Sequence, residues 1–94
     1  MGQVNDIANT LAERQKTHGD FTDHARITQR LKIVVQSELA RAKTELTHDQ
    51  QEALDMILHK IGRIISGNPN HEDHWLDISG YAELARLRVQ KVLL

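Results

Sequence analysis

The sequence predicts an all-α fold, an antiparallel four-helix bundle that associates as a homo-oligomer, and three features carry that expectation. Apolar residues recur at three- and four-residue spacing in four segments, and no stretch alternates with the two-residue period of a strand. Phe21, Trp75 and Tyr81 are the only aromatic residues, so the core must be Leu, Ile, Val and Ala, which suits packed helices. The connections are short and polar, which makes consecutive helices antiparallel neighbours. Residues 1–94 amount to one domain. A chain of this size buries a modest core and gains stability by association, so a homodimer or tetramer is expected.

The first helix is predicted over about Val4 to Lys16, where Val4, Ile7, Ala8 and Leu11 share a face. Thr17-His18-Gly19-Asp20 ends it, with Gly19 suited to a left-handed C-terminal position. The second starts near Thr22 or Asp23, both good N-caps, and runs to about Lys43. Its stripe is Ile27, Leu31, Val34, Val35 and Ala42, with Ile33 on the opposite side. Thr47-x-x-Gln50 is a capping-box pattern that opens the third helix. There Leu54, Ile57, Leu58, Ile61, Ile64 and Ile65 fall on one face. Ser66-Gly67-Asn68-Pro69 stops it, because proline cannot continue the ladder. The fourth helix starts near Asn70 or His71, with Glu72 and Asp73 favouring the positive end of the helix dipole. Trp75, Ile78, Ala82, Ala85, Val89 and Val92 form a narrow seam suited to a partner helix. Gly80 interrupts the pattern and lets a backbone or a ligand come close.

Composition narrows the function classes. The formal net charge is −1 with no basic cluster, which argues against nucleic acid bound by phosphate neutralisation. There is no Cys, so disulfides and thiolate metal sites are excluded. No apolar run is long enough for a bilayer and no signal peptide is recognisable, so no membrane partner and a cytoplasmic location are expected. No phosphate-binding glycine loop, serine nucleophile motif or H-E-x-x-H is present.

The polar residues gather at one end. In an up-down-up-down bundle the first and third connections share an end, so His18, Asp20, Asp23 and His24 should converge with His71, Asp73, His74 and Asp77, and with Arg63 from the last turn of the third helix. Asp73 and Asp77 are one turn apart, a spacing that holds a hard cation such as Mg²⁺ or Mn²⁺. The structural alternative is equally concrete. Acidic residues in a first turn serve the helix dipole, and Asp77, beside Trp75 and Ile78, can pair with Lys60 or Arg63 from the preceding helix.

Two stretches, "ERQKTHGDF" from Glu13 and "LDMILHKIGRIISGNPNHEDHWLDISGYAEL" from Leu54, resemble a family of small bacteriophage-encoded proteins of unknown function. The matching positions are Arg14, Gly19, Asp20 and Phe21, then Lys60 and Arg63, then His71, Asp73, Trp75, Asp77, Ile78, Gly80, Tyr81 and Ala82. That family is distantly similar to the MazG-like all-α nucleotide pyrophosphohydrolases, dimers or tetramers that cleave nucleoside triphosphates with Mg²⁺ through E-x-x-E and E-x-x-D pairs. Here the corresponding pairs are Lys60-x-x-Arg63 and His74-x-x-Asp77. Glu52-x-x-Asp55, continued by His59, has the acidic spacing but lies opposite the apolar stripe, where a solvated charged face is the simpler reading. The resemblance implies a MazG-like phage accessory protein that binds or hydrolyses a nucleoside triphosphate with a divalent cation. Asp73 and Asp77 would hold Mg²⁺ or Mn²⁺, and Asp77 with His74 would serve catalysis. Lys60, Arg63, His18, Asp20 and His71 would contact the nucleotide. The alternative is a non-catalytic phage protein that binds and modulates a host or phage protein.

Overall fold

The computed structural model describes residues 2–93, and the side chains of residues 6–91. The fold is all-α, with helices α1 (Gly2–His18), α2 (Phe21–Ala42), α3 (His48–Ser66) and α4 (Glu72–Leu93). Val4 and Val92, which extend the apolar stripes of the first and last helices, lie outside the described side chains.

Local chemistry sets the helix ends. Gly19 has φ +85° and closes α1. A side chain is strained in that left-handed conformation, so glycine is favoured there. α2 begins earlier than Thr22 or Asp23. Asp20 is its N-cap, and its carboxylate accepts the Asp23 amide at 3.3 Å. A capping oxygen works three residues ahead of the amide it receives, so the carboxylate nearest Gly19 takes the role. α2 ends at Lys43, a left-handed residue with φ 55° whose amide returns to carbonyls of the last turn. The capping box of α3 is formed on both sides: Thr47 Oγ1 accepts the Gln50 amide at 3.2 Å, and Gln50 Oε1 accepts the Thr47 amide at 3.0 Å.

Helix α3 is the hub. α2 and α4 flank it on opposite sides, and no Cα of α2 lies within 8 Å of one in α4. Three helices thus form an open layer. α1 meets α2 and α3 only near its C-terminal end. The result is elongated: the radius of gyration is 16.3 Å, against about 12 Å for a compact domain of this length.

The interior is unusual in content. Among the described residues, only Ala53 and Leu58 are buried apolar side chains, while His24, Thr28, Lys60 and His74 are buried polar ones. Three of the four buried polar residues are paired. His24 Nε2 donates to the His59 carbonyl at 3.1 Å, His74 Nε2 to the Thr17 carbonyl at 3.0 Å, and Lys60 Nζ meets Asp77 Oδ2 at 2.9 Å. Thr28 Oγ1 is buried without a partner.

Gly62 explains how α2 approaches α3 so closely. A Cβ there would collide with Thr28 Oγ1 and sit 2.8 Å from the His24 ring. Gly62→Ala should therefore cost about 1–3 kcal/mol, the usual range for overpacking, despite alanine's higher helix propensity. Urea denaturation checks this. An unchanged or raised midpoint would show that α2 can back away freely.

Candidate functional site

The two glycine-containing turns meet at one end of the molecule, as the antiparallel topology predicts. The Asn68 amide donates to the Thr17 carbonyl at 2.9 Å, and His74 Nε2 donates to the same oxygen. Ser66 Oγ donates to the His18 carbonyl at 3.2 Å. Gly19 lies against the Ser66 backbone and Gly67 against the Thr17 backbone, so neither position has room for a side chain. These contacts bring the C-terminus of α1 onto α3 and the start of α4.

Beside this junction is a cavity of about 410 Å³, lined by Leu11, Arg14, Gln15, His18, Phe21, His24 and Arg63, with Gly19. None of these side chains is a carboxylate. Neither Arg14 nor Arg63 has an acidic side chain within salt-bridge distance among the described residues. Arg63 Nε is buried with no hydrogen-bond partner, and so is His18 Nδ1. Burial and the neighbouring Arg14 cation push Arg63 below the ordinary guanidinium value, with Asp77 opposing. Burial, then the charge of Arg63, holds His18 down at about 4. His24 is lowered for the same two reasons. Two guanidinium groups thus share a pocket with imidazoles held neutral at physiological pH, a donor-rich wall with no built-in counter-ion. At the mouth, Leu11 and Phe21 are exposed, Phe21 by 78%.

The remaining predicted site residues have other surroundings. Asp77 is paired with Lys60, and that hydrogen bond holds its carboxyl below the usual range. Lys60 is buried, so the pair joins α3 to α4 and supplies the partner that a buried ammonium requires. His74, 1% exposed, has its Nε2 committed to Thr17. His71 and Asp73 approach each other at 3.7 Å, with Asp73 facing solvent. His18, His71 and His74 form a ring cluster with centroids 4.7–6.0 Å apart. Among the described residues, no three His, Asp or Glu side chains converge where a metal ion could be held. Asp20 caps α2 and accepts from Gln15 Nε2 at 3.4 Å. Gly80 faces open space on α4.

Of the residues singled out in the sequence, Arg63 and His18 line the cavity, while Lys60 and Asp77 form a neighbouring ion pair. The cavity also uses Arg14, Phe21 and His24. Arg14 and Phe21 stand in the motif ending G-D-F, five residues before Gly19 and two after it; that placement was the available signal. On α3, Glu52 is exposed and Asp55 accepts from Gln51 Nε2 at 3.0 Å. His59 packs against His24 at 4.4 Å.

A family model described as a domain of unknown function (DUF6378) matches residues 3–88. No curated protein and no solved structure matches the chain.

The depressed histidines make stability depend on pH. His59, like His18, is held at about 4, by burial first and the nearby Arg63 second. The unfolded chain takes up these protons near pH 6.5 and the folded chain only near 4, so stability falls as pH drops through that window. Thermal unfolding between pH 7.5 and 4 should show the decline, and His59→Gln should shallow it. A flat profile from pH 6.5 to 4.5 would contradict the burial argument.

Proposed function

The chain belongs to the DUF6378 family, and we propose that it binds a nucleotide, with the phosphates against Arg14 and Arg63 and the base over Phe21. The observation that carries the reading is Arg63: a partly buried guanidinium, one nitrogen without any partner, beside a second arginine and away from every carboxylate but that of the Lys60–Asp77 pair. Leaving a buried cation unmatched is costly, and an incoming anion removes the cost. Arginine suits phosphate because its planar fork donates two parallel hydrogen bonds. The cavity lies within the size range of small-ligand pockets. Its mouth adds the exposed ring of Phe21 and the side chain of Leu11, surfaces that favour a flat aromatic group over inorganic phosphate alone.

In this reading His18 and His24 act as neutral hydrogen-bonding groups on the pocket wall, and the Lys60–Asp77 pair braces α3 while α4 supplies the floor of the junction. A divalent cation would enter with the triphosphate, and the exposed carboxylate of Asp73, beside His71, would be available to hold it. The functional unit is a homo-oligomer, because one chain alone covers little of its apolar surface.

Isothermal titration with nucleoside and deoxynucleoside triphosphates at low salt, with and without Mg²⁺, tests the reading. The native protein should bind at least one of them. Arg63→Met should weaken that binding by about 10- to 100-fold, the worth of a charge-assisted contact. Arg41→Gln, which alters an exposed pair with Glu38 far along α2, should leave it unchanged. Silence across the panel, or equal affinity in Arg63→Met, would overturn the proposal. Pyrophosphate release in the Mg²⁺ arm would extend binding to hydrolysis.

A further inference from the structure

The layer formed by α2, α3 and α4 has two unlike faces. Along α3 the side chains turn by about 100° per residue. The directions taken by its neighbours are marked by contacts: Lys60 and Asp49 reach α4, while Gln51 and Gly62 meet α2. Between these directions one side of α3 carries Leu54, Ile57, Ile61 and Ile65, with no charged residue. The other side carries Glu52, Met56 and Arg63. The two grooves between α3 and α4 lean the same way. One is lined mainly by apolar side chains, among them Leu54, Ile57, Ala82 and Val89, with Gln50 and Arg86; the other mixes Asp49, Glu52 and Arg88 with Tyr81 and Leu84. Because both neighbours run antiparallel to α3, the same helical geometry brings Val34 of α2 and Trp75 of α4 to the apolar side. Val34 and Ile65 are each 60% exposed and Trp75 54%. Among the described residues, nothing covers this face.

We infer that a second copy of the chain covers it, the two layers packing face to face about a two-fold axis that passes near Ile57 and Ile61. Helical layers become stable by burying their apolar side against another layer, and this chain supplies only one. The surface area agrees. The chain exposes 7192 Å², whereas a compact monomer of 10.7 kDa exposes about 5,500 Å². Part of the excess is on α1, where Ile7 and Leu11 stand exposed. The total excess of about 1,700 Å² is in the range that each partner of an obligate dimer buries, about 1,000–2,500 Å². The two buried apolar residues among those described are also too small a core to hold this chain folded alone. A copy of the same surface fits because a two-fold contact places α3 on α3. The absence of charge along that stripe leaves no like-charged pair at the axis. Arg63, and with it the proposed nucleotide pocket, is on the opposite side of α3 and stays open.

The test needs no nucleotide, so it stands apart from the binding proposal. Sedimentation equilibrium of the native protein should give about twice 10.7 kDa, and its melting temperature should rise with protein concentration. Emission from Trp75, the single tryptophan, should be blue-shifted at micromolar concentration and move red on dilution. Ile61→Asp should abolish the dimer; Leu84→Glu, on the other face, should retain it. If Ile61→Asp does not fold, the dilution series of the native protein still decides. A monomer with a concentration-independent melting temperature and solvent-exposed Trp75 emission would overturn the inference. So would a dimer that survives Ile61→Asp and is lost in Leu84→Glu.

Discussion

The backbone contact between the two glycine turns is the constraint on which the site depends. Gly19 against Ser66 and Gly67 against Thr17 let two connections, nearly fifty residues apart in sequence, approach to hydrogen-bonding distance. A Cβ at either position would separate them. The Thr17 carbonyl then accepts from both Asn68 and His74, which ties α1 to the turn before α4 and to α4 itself. Arg14 is one turn back along α1, so the same junction brings its cation toward Arg63. Two like charges are held close by backbone packing, and that is what makes the cavity receptive to an anion.

The buried polar residues belong to the same design. Lys60 would be a severe liability without Asp77, and His74 without the Thr17 oxygen. Each pair joins elements whose apolar contact is thin: Lys60–Asp77 links α3 to α4, His24 and the His59 carbonyl link α2 to α3, and His74 links α4 to α1. Directional bonds of this kind define one arrangement of the helices and contribute little net stability by themselves. The apolar residues that ordinarily supply stability stand on the outside of the single chain, on the α2–α3–α4 face and along α1. Directional polar contacts inside the chain and apolar residues outside it are thereby separated, the arrangement from which the face-to-face dimer is inferred.

Much of this was legible in the residues. Helical periodicity, the Thr47–Gln50 box, the Gly19 terminus and the Gly67-Asn68-Pro69 stop are local signals, and they place four helices and their antiparallel order. That order alone brings His18 to the neighbourhood of His71, His74 and Arg63. It also allows Asp77 to pair with Lys60, one of the two partners the spacing offered. The N-cap of α2 lies two residues before Thr22 and three before Asp23, because all three residues are competent caps and only the backbone geometry selects the one whose carboxylate faces a free amide.

Tertiary structure decided the rest. Whether Asp77 paired with Lys60 or with Arg63 depended on the rotation of α3 relative to α4. Whether Arg63 was paired depended on where α1 crossed, because Arg14 and Phe21 are remote from it in sequence. The open layer was likewise invisible to periodicity, which marks an apolar face without saying what covers it. The sequence by itself therefore determined the helices, most of their ends and the end at which polar residues gather, since those follow largely from interactions within a few residues. Only the packing of whole helices against one another, α3 on α4 and the distant α1 on α3, decided which charges are neutralised and which stand without an ion pair.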